Sequence, residues 1–562
     1  MSFERQEDRI DPITLEIWWS RLIAIADETA STLVRTCFST IIRESNDYTV
    51  VLLSRAGEVI AECRSGVPGF AAIMGVLARH VLSKYPLDSW EEGDCVITNH
   101  PWFATGHLPD IAMLTPIFHR RVLVGFTATA AHVPDIGGSP SLGAAELITE
   151  GLLIPPVRLY RAGRRNEALL DLLAHNVRLA EQVRGDIEAQ VAANEVCRRR
   201  AAEFLEDSGQ ADFEALGVAV QEKAERAMRR AIAALPDGVY RSCVQADGVE
   251  GQATRIQCAI TVRADSICVD YEGSSPQVTH GINCVINYTT AYTVYPLKML
   301  LDPFTRRNAG SYRPITVTAT PGSILNPRYP APVIARHLTG HLLCCALYQA
   351  LAPLLPDRVI ADSGGSPALR VQFSGRTNEN NAFALLLFAS AGMGATAVAD
   401  GLSTTAFPTN TGSGSVEVME STAPLLFLRK ELRVDSGGAG RHRGGLGQDI
   451  EVQNLARTSV KVALLGDRER NPAMGILGGC AGDVARAVFS HGPSASLKSL
   501  TPLPPGATVT LSFAGGGGFG APGKRSPEAI AADLAAGLVT YEAAVRDYGA
   551  DAVPCSLLVA RQ

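Results

Sequence analysis

Paired cysteine motifs are absent from this chain, although its 562 residues include 12 cysteines. The cysteines stand singly between Cys37 and Cys555, with one adjacent pair, Cys344 and Cys345, and no CxxC spacing. A zinc ribbon needs closely spaced thiolates, and a disulfide framework is typical of short secreted domains, so the sequence favours neither. The pattern indicates a reducing compartment, and we predict that the protein is cytoplasmic.

The chain also lacks a basic excess and a membrane signal. It has 51 lysines and arginines against 57 aspartates and glutamates, a net charge of -6, which argues against a nucleic-acid partner. The first residues, MSFERQEDRIDP, lack the apolar core of a signal peptide. Residues 382–399 carry no charge, but they include Gly392 and Gly394, so we predict a buried strand that runs into a glycine turn rather than a membrane span.

Phosphate-binding loops are missing as well. The sequence contains no GxxxxGK[ST] loop and no GxGxxG segment between a strand and a helix. The run GGGGFG at residues 515–520 follows a strand-like segment, but Ala-Pro-Gly-Lys-Arg comes after it in place of a helix with a hydroxyl residue. We interpret it as a tight turn at a surface or an interface, so the chain shows no motif for binding ATP.

Hydrophobic periodicity predicts a mixed fold of the α+β class. Apolar residues recur at helical spacing after Pro12, which predicts a long amphipathic helix. Two β-prone runs, YTVVLLS and EVIAECR, flank Arg55-Ala56-Gly57 and predict a hairpin. Further along, short β-branched runs predict an antiparallel meander, and two apolar-periodic segments predict a helical hairpin. The meander covers residues 95–99, 111–118 and 121–131, and the helical hairpin covers residues 167–205 and 213–235.

Length divides the chain into three predicted units, because 562 residues exceed the size at which one hydrophobic core stops growing. Residues 1–237 would form a unit with the meander, the helical hairpin and a candidate metal site. Residues 238–415 would form a central α+β unit. Residues 416–562 would form a β-rich unit with antiparallel sheets that ends in helices.

Two copies of a His-x-Pro-Asp motif carry the chemical signal of this sequence. They are Gly106-His107-Leu108-Pro109-Asp110 and Ala131-His132-Val133-Pro134-Asp135. Imidazole and carboxylate together suit a divalent first-row metal, although one copy alone would equally fit a buried His-Asp hydrogen bond. The other histidines have no partner at ligand spacing, and most are interpreted as structural. These include His175, His280, His337, His341, His442 and His491.

The predicted meander gives a geometric reason for the two motifs to meet. If residues 120–121 form a two-residue hairpin turn, His132 lies opposite Pro109, with room for a slip of a residue or two. Cross-strand neighbours lie about 5 Å apart, so we expect His107, Asp110 and His132 to converge on one ion.

A further acidic ligand is predicted in the segment Ile42-Arg43-Glu44-Ser45-Asn46-Asp47, before the first hairpin. Glu44 and Asp47 are the candidates, and a solvated helix end is the alternative that this pattern leaves open. A site of His and carboxylate ligands with an open position would hold water and lower its pKa, which gives hydroxide for attack on an activated carbonyl. His132 and Asp135 are the catalytic candidates, with Asp135 as the proton acceptor.

Longer runs along the chain carry a family resemblance. They are NHPWFATGHLPD, AAHVPDIGG, EGLLIPPVRLYRAG, HNVRLAEQVRGDIEAQ, ESTAPLLFLRKELRVDSGGAGRHRGGLGQ and the ending that begins GGGGFGAP. In order and over nearly the whole chain, they resemble the hydantoinase B/oxoprolinase family. That family includes the B subunits of ATP-dependent hydantoinases and lactamases, the C-terminal half of 5-oxoprolinase, and subunits of acetone and acetophenone carboxylases.

The resemblance implies an enzyme built from two kinds of subunit. A hydantoinase A-type partner would bind ATP and phosphorylate the carbonyl oxygen of a small cyclic amide such as a hydantoin, 5-oxoproline or another lactam. This chain would then complete the hydrolysis at a divalent metal, with manganese, zinc, iron and magnesium all open. The metal positions of the family map onto His107, Asp110 and His132, with Glu44 or Asp47 as the acidic ligand. A hetero-oligomer such as a dimer of heterodimers is implied.

Departures from the family pattern lie beside the first motif. The usual run is close to N-D-P-Y-x-G-G-T-H-L-P-D, whereas this chain has His100, Trp102 and Ala104 at altered positions. Val133 stands where the family commonly has another histidine. Two alternatives therefore stay open, a subunit of an ATP-dependent ketone carboxylase and a catalytically silent structural subunit.

Overall fold

The computed structural model describes residues 10–139, 141–365 and 369–553. Most of the N-terminal segment tested for a signal peptide, and Cys555, lie outside the described residues. The described chain combines helices with largely antiparallel sheets, so the predicted α+β class is confirmed. Within these residues, no helix combines the length and the apolar character needed to cross a bilayer.

The N-terminal region places one long sheet between helices. Its helices are α1 (Pro12–Thr36), α2 (Thr40–Arg43), α3 (Pro68–Lys84), α4 (Glu167–Asn176), α5 (Ala180–Ser208) and α6 (Glu214–Ala233). Its strands are β1 (Tyr48–Ser54), β2 (Val59–Glu62), β3 (Cys95–Thr98), β4 (Asp110–His119), β5 (Val122–His132), β6 (Val157–Arg161) and β7 (Arg164–Arg165). They form a seven-stranded sheet in the order β2-β1-β5-β4-β3-β6-β7.

Helix α1 begins where the sequence predicts. The Asp11 carboxylate accepts hydrogen bonds from the backbone N–H groups of Ile13 and Thr14, at 3.0 and 3.1 Å, so the free donors of the first turn are satisfied. The predicted hairpin is also confirmed, because β1 pairs antiparallel with β2 and Gly57 takes a φ of +80° in the turn.

The predicted helix over residues 167–205 is two helices. Its break has a local cause at Arg178, whose backbone N–H donates to the Asp135 carboxylate instead of a helix carbonyl. Val177 is extended, with a φ of -122°, so the chain leaves helix α4 there. The helical hairpin therefore consists of α4, α5 and α6.

The central region adds a four-stranded sheet, in the order β11-β10-β9-β8, and buried helices. Its strands are β8 (Gly238–Val249), β9 (Gln252–Arg263), β10 (Ser266–Asp270), β11 (Ile315–Thr318), β12 (Arg370–Arg376) and β13 (Ala382–Phe388). Its helices are α7 (Ile286–Leu301), α8 (Ala309–Tyr312), α9 (His337–Gly340) and α10 (Leu342–Leu351). The uncharged segment at 382–399 starts with the strand β13, as predicted, but Gly392 and Gly394 lie in irregular backbone rather than in the predicted glycine turn.

The C-terminal region is β-rich up to residue 512, as predicted. Its strands are β14 (Leu425–Leu432), β15 (Gln448–Asn454), β16 (Val460–Leu465), β17 (Arg486–Phe489), β18 (Ser494–Ala495), β19 (Leu500–Leu503) and β20 (Thr508–Ser512). Its helices are α11 (Val416–Thr422), α12 (Pro527–Ala535) and α13 (Tyr541–Tyr548). One sheet, β13-β12-β16-β19, takes strands from both sides of residue 415, and the division into three units stays a prediction.

The glycine run at residues 515–520 is mostly buried and largely without turn structure, so its interpretation as a tight turn at a surface or an interface was wrong. Gly516 and Gly517 lie in backbone that packs directly against backbone from distant segments. A Cβ added at Gly516 would lie 2.1 Å from the carbonyl oxygen of Met393, and Gly517 N–H donates to the Asp362 carbonyl at 2.8 Å. Glycine is required here by close approach, not by a turn.

Candidate metal centre

The two His-x-Pro-Asp motifs meet at the ends of β4 and β5. The turn at residues 120–121 pairs His119 with Val122, as predicted. Further along, Ile117 pairs with Gly125, so β5 holds one extra residue in a β-bulge.

This bulge corrects the predicted register. His132 pairs with Asp110, and the expectation that it faces Pro109 was wrong by one residue. The Pro109 carbonyl instead accepts a hydrogen bond from the Val133 N–H at 2.9 Å. The shift brings the Asp110 carboxylate directly beside the His132 imidazole.

The predicted convergence of His107, Asp110 and His132 is present in the structure. One ligand atom from each of these residues lies within 4.8 Å of the other two, and all three side chains are buried. We call these residues the His-Asp cluster. Two imidazole nitrogens and a carboxylate oxygen are a donor set that suits a divalent first-row metal.

The His107 ring is oriented for metal binding. Its Nδ1–H donates to the Ile334 carbonyl at 2.9 Å, which leaves Nε2 as a lone pair. Nε2 lies 2.7 Å from Asp110 Oδ1. Among the residues that the structure describes, it has no well-aligned hydrogen-bond partner. Two lone pairs this close repel each other unless a cation or a proton lies between them.

Electrostatics decide between those two possibilities. Burial, with the nearby Arg336 guanidinium, lowers the pKa of His107 to about 3, so its imidazole stays neutral. Burial opposes ionisation of Asp110, yet the Arg336 guanidinium holds the pKa of this carboxyl well below its usual range. The carboxylate is therefore charged and the imidazole unprotonated at neutral pH. The pair fits a bound cation.

Asp110 is fixed by partners on both oxygens. Its Oδ1 lies 2.8 Å from His132 Nδ1, and its Oδ2 accepts a hydrogen bond from Arg336 Nη2 at 2.7 Å. Arg336 is held in turn, because its Nε donates to the Thr105 carbonyl at 2.6 Å and its guanidinium lies 4.4 Å from the Tyr288 ring centroid. Such partners orient ligands and tune the metal.

Of the two predicted acidic ligands, Asp47 reaches the His-Asp cluster. Its Oδ2 lies 3.7 Å from His132 Nδ1, and its carbonyl accepts from the His132 N–H at 3.0 Å. Burial and the nearby Asp110 carboxylate raise the pKa of Asp47, against the positive charges of Arg370 and Arg336. Glu44 ends α2, where it forms an ion pair with Arg43 at 3.2 Å.

A small cavity of about 40 Å³ opens beside the His-Asp cluster. Part of its wall is aromatic, formed by Phe70, Tyr288, Tyr292 and Phe388. The rest is polar, formed by Asp47, His107, Arg336, His337, His341 and Arg370. Val67, Thr409 and Thr411 complete the lining, which matches a ligand with one polar end and one apolar face.

A family model described as hydantoinase B/oxoprolinase matches residues 11–522. The chain belongs to the hydantoinase B/oxoprolinase family. The resemblance found in the sequence is thereby confirmed.

Individual relatives of this family member cover the same length. The chain is 32% identical, over 96% of its length and 95% of the relative's, to a protein of Pseudomonas sp. (strain NS671) named as the B subunit of a putative D-/L-hydantoinase. It is similar to the crystal structure of an ATP-dependent caprolactamase from Pseudomonas jessenii, with a TM-score of 0.89 and 29% identity over 96% of each chain. A nucleotide-free acetone carboxylase structure shares the fold, with a TM-score of 0.86, 20% identity, and 97% and 81% of the two chains covered.

Asp135 lies away from the His-Asp cluster in this hydantoinase B/oxoprolinase protein. Its carboxylate accepts hydrogen bonds from Gly137 N–H at 3.1 Å and Arg178 Nη1 at 2.8 Å, and from the Arg178 backbone. It lines a neighbouring cavity with His132. Its role as a proton acceptor stays a prediction, and these bonds already occupy both oxygens.

The altered residues beside the first motif form a ring stack. His100 stacks on Phe103 with centroids 4.3 Å apart, and Trp102 meets Tyr329 edge to face at 5.3 Å. Ala104 is fully buried, and its carbonyl accepts a hydrogen bond from Asn287. None of these three altered positions lines the described cavity.

Sequence reasoning missed four residues of this site. Arg336 and Arg370 lie more than 200 positions after His107, and His337 and His341 were interpreted as structural. A signal was available in the run ARHLTGH, because its histidines are spaced four apart. This spacing places them on one face of a helix when the segment is helical.

Proposed function

We propose that this chain is the metal-binding subunit of an ATP-dependent hydrolase that opens a cyclic amide such as a hydantoin, 5-oxoproline or another lactam. The observation that carries the proposal is the contact between His107 Nε2 and Asp110 Oδ1, whose facing lone pairs fit a divalent cation. Family membership and the likeness to hydantoinase and lactamase relatives support the substrate class.

A divalent cation bound here would supply Lewis-acid chemistry and a lowered pKa for water. The residues of this chain prepare that site. Ile334 fixes the tautomer of His107, and Arg336 holds the Asp110 carboxylate in place. Asp47 would add a fourth ligand, a carboxylate oxygen. The aromatic wall of the cavity would exclude bulk water from the reacting carbonyl.

A partner subunit is part of the proposal. The chain shows no phosphate-binding loop, and one relative is itself named as a subunit. An A-type partner would bind ATP and phosphorylate the carbonyl oxygen of the ring in a cytoplasmic hetero-oligomer, such as a dimer of heterodimers. Phosphorylation turns a resonance-stabilised amide into a better electrophile. Asp135 stays our candidate for the proton acceptor, although its bonds to Arg178 would have to open first.

The test is turnover by the chain purified together with its A-type partner. ATP-dependent release of phosphate and of ring-opened product would be followed on a panel of hydantoins and lactams, with and without bicarbonate. The His107→Ala variant is compared with His175→Ala, an exposed histidine on α4. We expect product without bicarbonate, lost in His107→Ala and kept in His175→Ala.

Other outcomes reassign the function. Strict dependence on bicarbonate would move the assignment to a ketone carboxylase subunit. A chain that binds no metal but stabilises its partner would be a structural subunit. Full activity in His107→Ala would mean that the metal centre is wrong.

A further inference from the structure

The cavity beside the His-Asp cluster has polar groups that lack partners. They include Arg370 at the start of β12 and both ring nitrogens of His337 on α9, besides one ring nitrogen each of His107 and His341. Arg370 is 7% exposed and His337 is 4% exposed. Within the described residues, Arg370 Nε and both ring nitrogens of His337 have no hydrogen-bond partner. Buried polar groups are normally paired, so two unpaired side chains on one cavity wall point to a ligand.

Arg370 is the more unusual of the two. Its Nη2 lies 3.4 Å from His132 Nε2, and its guanidinium lies 5.8 Å from the Phe388 ring centroid. Over the part of the chain that the structure describes, it forms no ion pair. A buried guanidinium without a directly paired carboxylate is costly, because its desolvation is opposed only by the charges of Asp47 and Asp110 at longer range. A purely structural arginine is expected to have its donors paired.

The charge balance of the site points the same way. The cavity and the His-Asp cluster together hold two carboxylates, Asp47 and Asp110, against two guanidinium groups, Arg336 and Arg370. A divalent cation therefore leaves an excess of about two positive charges in a buried space. A ligand with two negative charges would neutralise that excess.

The lining of the cavity suits such a ligand. Arg370 and His337 lie on the polar wall, while Phe70, Tyr288 and Phe388 form the apolar one. An oxyanion at the polar wall would leave a small organic body against the rings. A guanidinium fork and an imidazole N–H are the donors that proteins use for phosphate and carboxylate oxygens.

We propose that Arg370 and His337 form an oxyanion-holding wall that selects a doubly charged ligand of the phosphoryl class over a neutral one. The inference rests on the proposed function, because the ring carbonyl phosphorylated by the partner would be that ligand. Carbonate and carboxylate share the chemistry and are the other sources of an oxyanion. Arg370 and His337 are thereby specificity-determining residues for the proposed reaction.

The test is calorimetric titration of the full chain, loaded with manganese, with inorganic phosphate, bicarbonate or acetate. We expect phosphate to bind most tightly, and Arg370→Gln to weaken it by at least about tenfold, because a charge-assisted donor pair is lost. His337→Asn should weaken binding less. The matched control is Arg376→Gln, which makes the same change at the exposed end of the same strand and should bind like wild type.

A conservative variant covers the case in which Arg370→Gln fails to fold. Arg370→Lys keeps the buried charge but loses the planar fork, so we expect a fall of several-fold in phosphate affinity. Tight binding of bicarbonate alone, weakened by the same variants, supports the wall and assigns it to carbonate. Equal binding by wild type and every folded Arg370 variant overturns the proposal, as does the absence of binding by all three anions.

A turnover assay distinguishes a failure of this inference from a failure of the proposed function. Ring opening in the presence of the partner, without anion binding at Arg370, contradicts the oxyanion wall alone. Anion binding that depends on Arg370, without ring opening of any cyclic amide, contradicts the hydrolase alone. The binding assay uses no ATP, partner or cyclic amide, so neither result depends on the other.

Discussion

Two neighbouring groups of residues, the His-Asp cluster and the oxyanion-holding wall, differ in how their polar atoms are paired. In the His-Asp cluster, Ile334 orients His107, and both oxygens of Asp110 have partners. On the oxyanion-holding wall, Arg370 and His337 keep nitrogens without partners among the described residues. Contacts within the protein orient the cluster and leave His107 Nε2 as its unpaired nitrogen, whereas three nitrogens of the wall are unpaired among the described residues.

This difference indicates which residues are suited to hold a metal and which residues are suited to contact a substrate. Fixed tautomers and anchored carboxylates are typical of residues that hold a metal, because the partners of a ligand set its orientation. Unpaired donors are typical of residues that meet a substrate, because pairing within the protein would compete with binding. Loss of the cluster should therefore abolish metal binding, while loss of the wall should spare it.

The largest effect is expected from Asp110→Asn. The change removes a ligand and leaves the buried Arg336 guanidinium without its carboxylate. We expect metal affinity to fall by more than about a hundredfold, and the free energy of unfolding to fall by about 3–5 kcal/mol, because a buried charge loses its partner. Metal content by mass spectrometry and unfolding in denaturant measure the two effects.

Asp94→Asn is the matched control for this change. Asp94 is a buried carboxylate that pairs with Arg158 at 3.4 Å, away from the cluster. It should lose stability but keep the metal. If Asp110→Asn kept its metal, the assignment of metal binding to the His-Asp cluster would be wrong.

The cluster itself could be predicted from the sequence. Two copies of one motif on adjacent strands place His107, Asp110 and His132 together through local pairing. The register was wrong by one residue, because the bulge in β5 depends on packing around the strand and leaves no turn signature.

The oxyanion-holding wall could not be predicted in the same way. Arg370 follows His132 by 238 positions and approaches it only through tertiary packing. The glycine run was misinterpreted for a related reason, since close approach of distant backbone at Gly516 is invisible in a linear pattern. The α+β class, α1 and the first hairpin depend on local periodicity and capping, and these were predicted correctly.

A smaller effect is expected from Glu150, which lies near the His-Asp cluster and also has an unpaired polar atom. Glu150 Oε1 accepts from the N–H groups of Val333 and Ile334, and so holds the turn that orients His107. Its Oε2 has no partner in the described chain. Burial raises the pKa of Glu150 to about 8, against the opposing backbone hydrogen bonds. Oε2 is therefore expected to carry a proton near neutral pH rather than to await a ligand.

The sign of the pH effect follows from that raised pKa. Its stability contribution is fully present below the unfolded value, 4.5, and is lost as pH rises through about 8. The loss is at most about 1.4 kcal/mol per pH unit. Glu150→Gln should remove this slope, measured by denaturant unfolding across that range, whereas Glu203→Gln on the exposed side of α5 should keep it. An unchanged slope in Glu150→Gln would mean that Glu150 does not produce the pH dependence. A proton on Oε2 would then not explain why this oxygen has no partner.

The smallest effect separates the two acidic residues before β1. Asp47 lies at the cluster and Glu44 pairs with Arg43, so Asp47→Asn should weaken metal binding by about tenfold or more. Glu44→Gln makes the same chemical change three positions earlier and should leave the affinity within about twofold, because an exposed ion pair contributes little. Competition with a metal indicator dye measures both. A larger loss in Glu44→Gln than in Asp47→Asn would mean that the cation binds with different acidic ligands. The charge balance that favours a doubly charged oxyanion at Arg370 would then have to be recalculated with those residues.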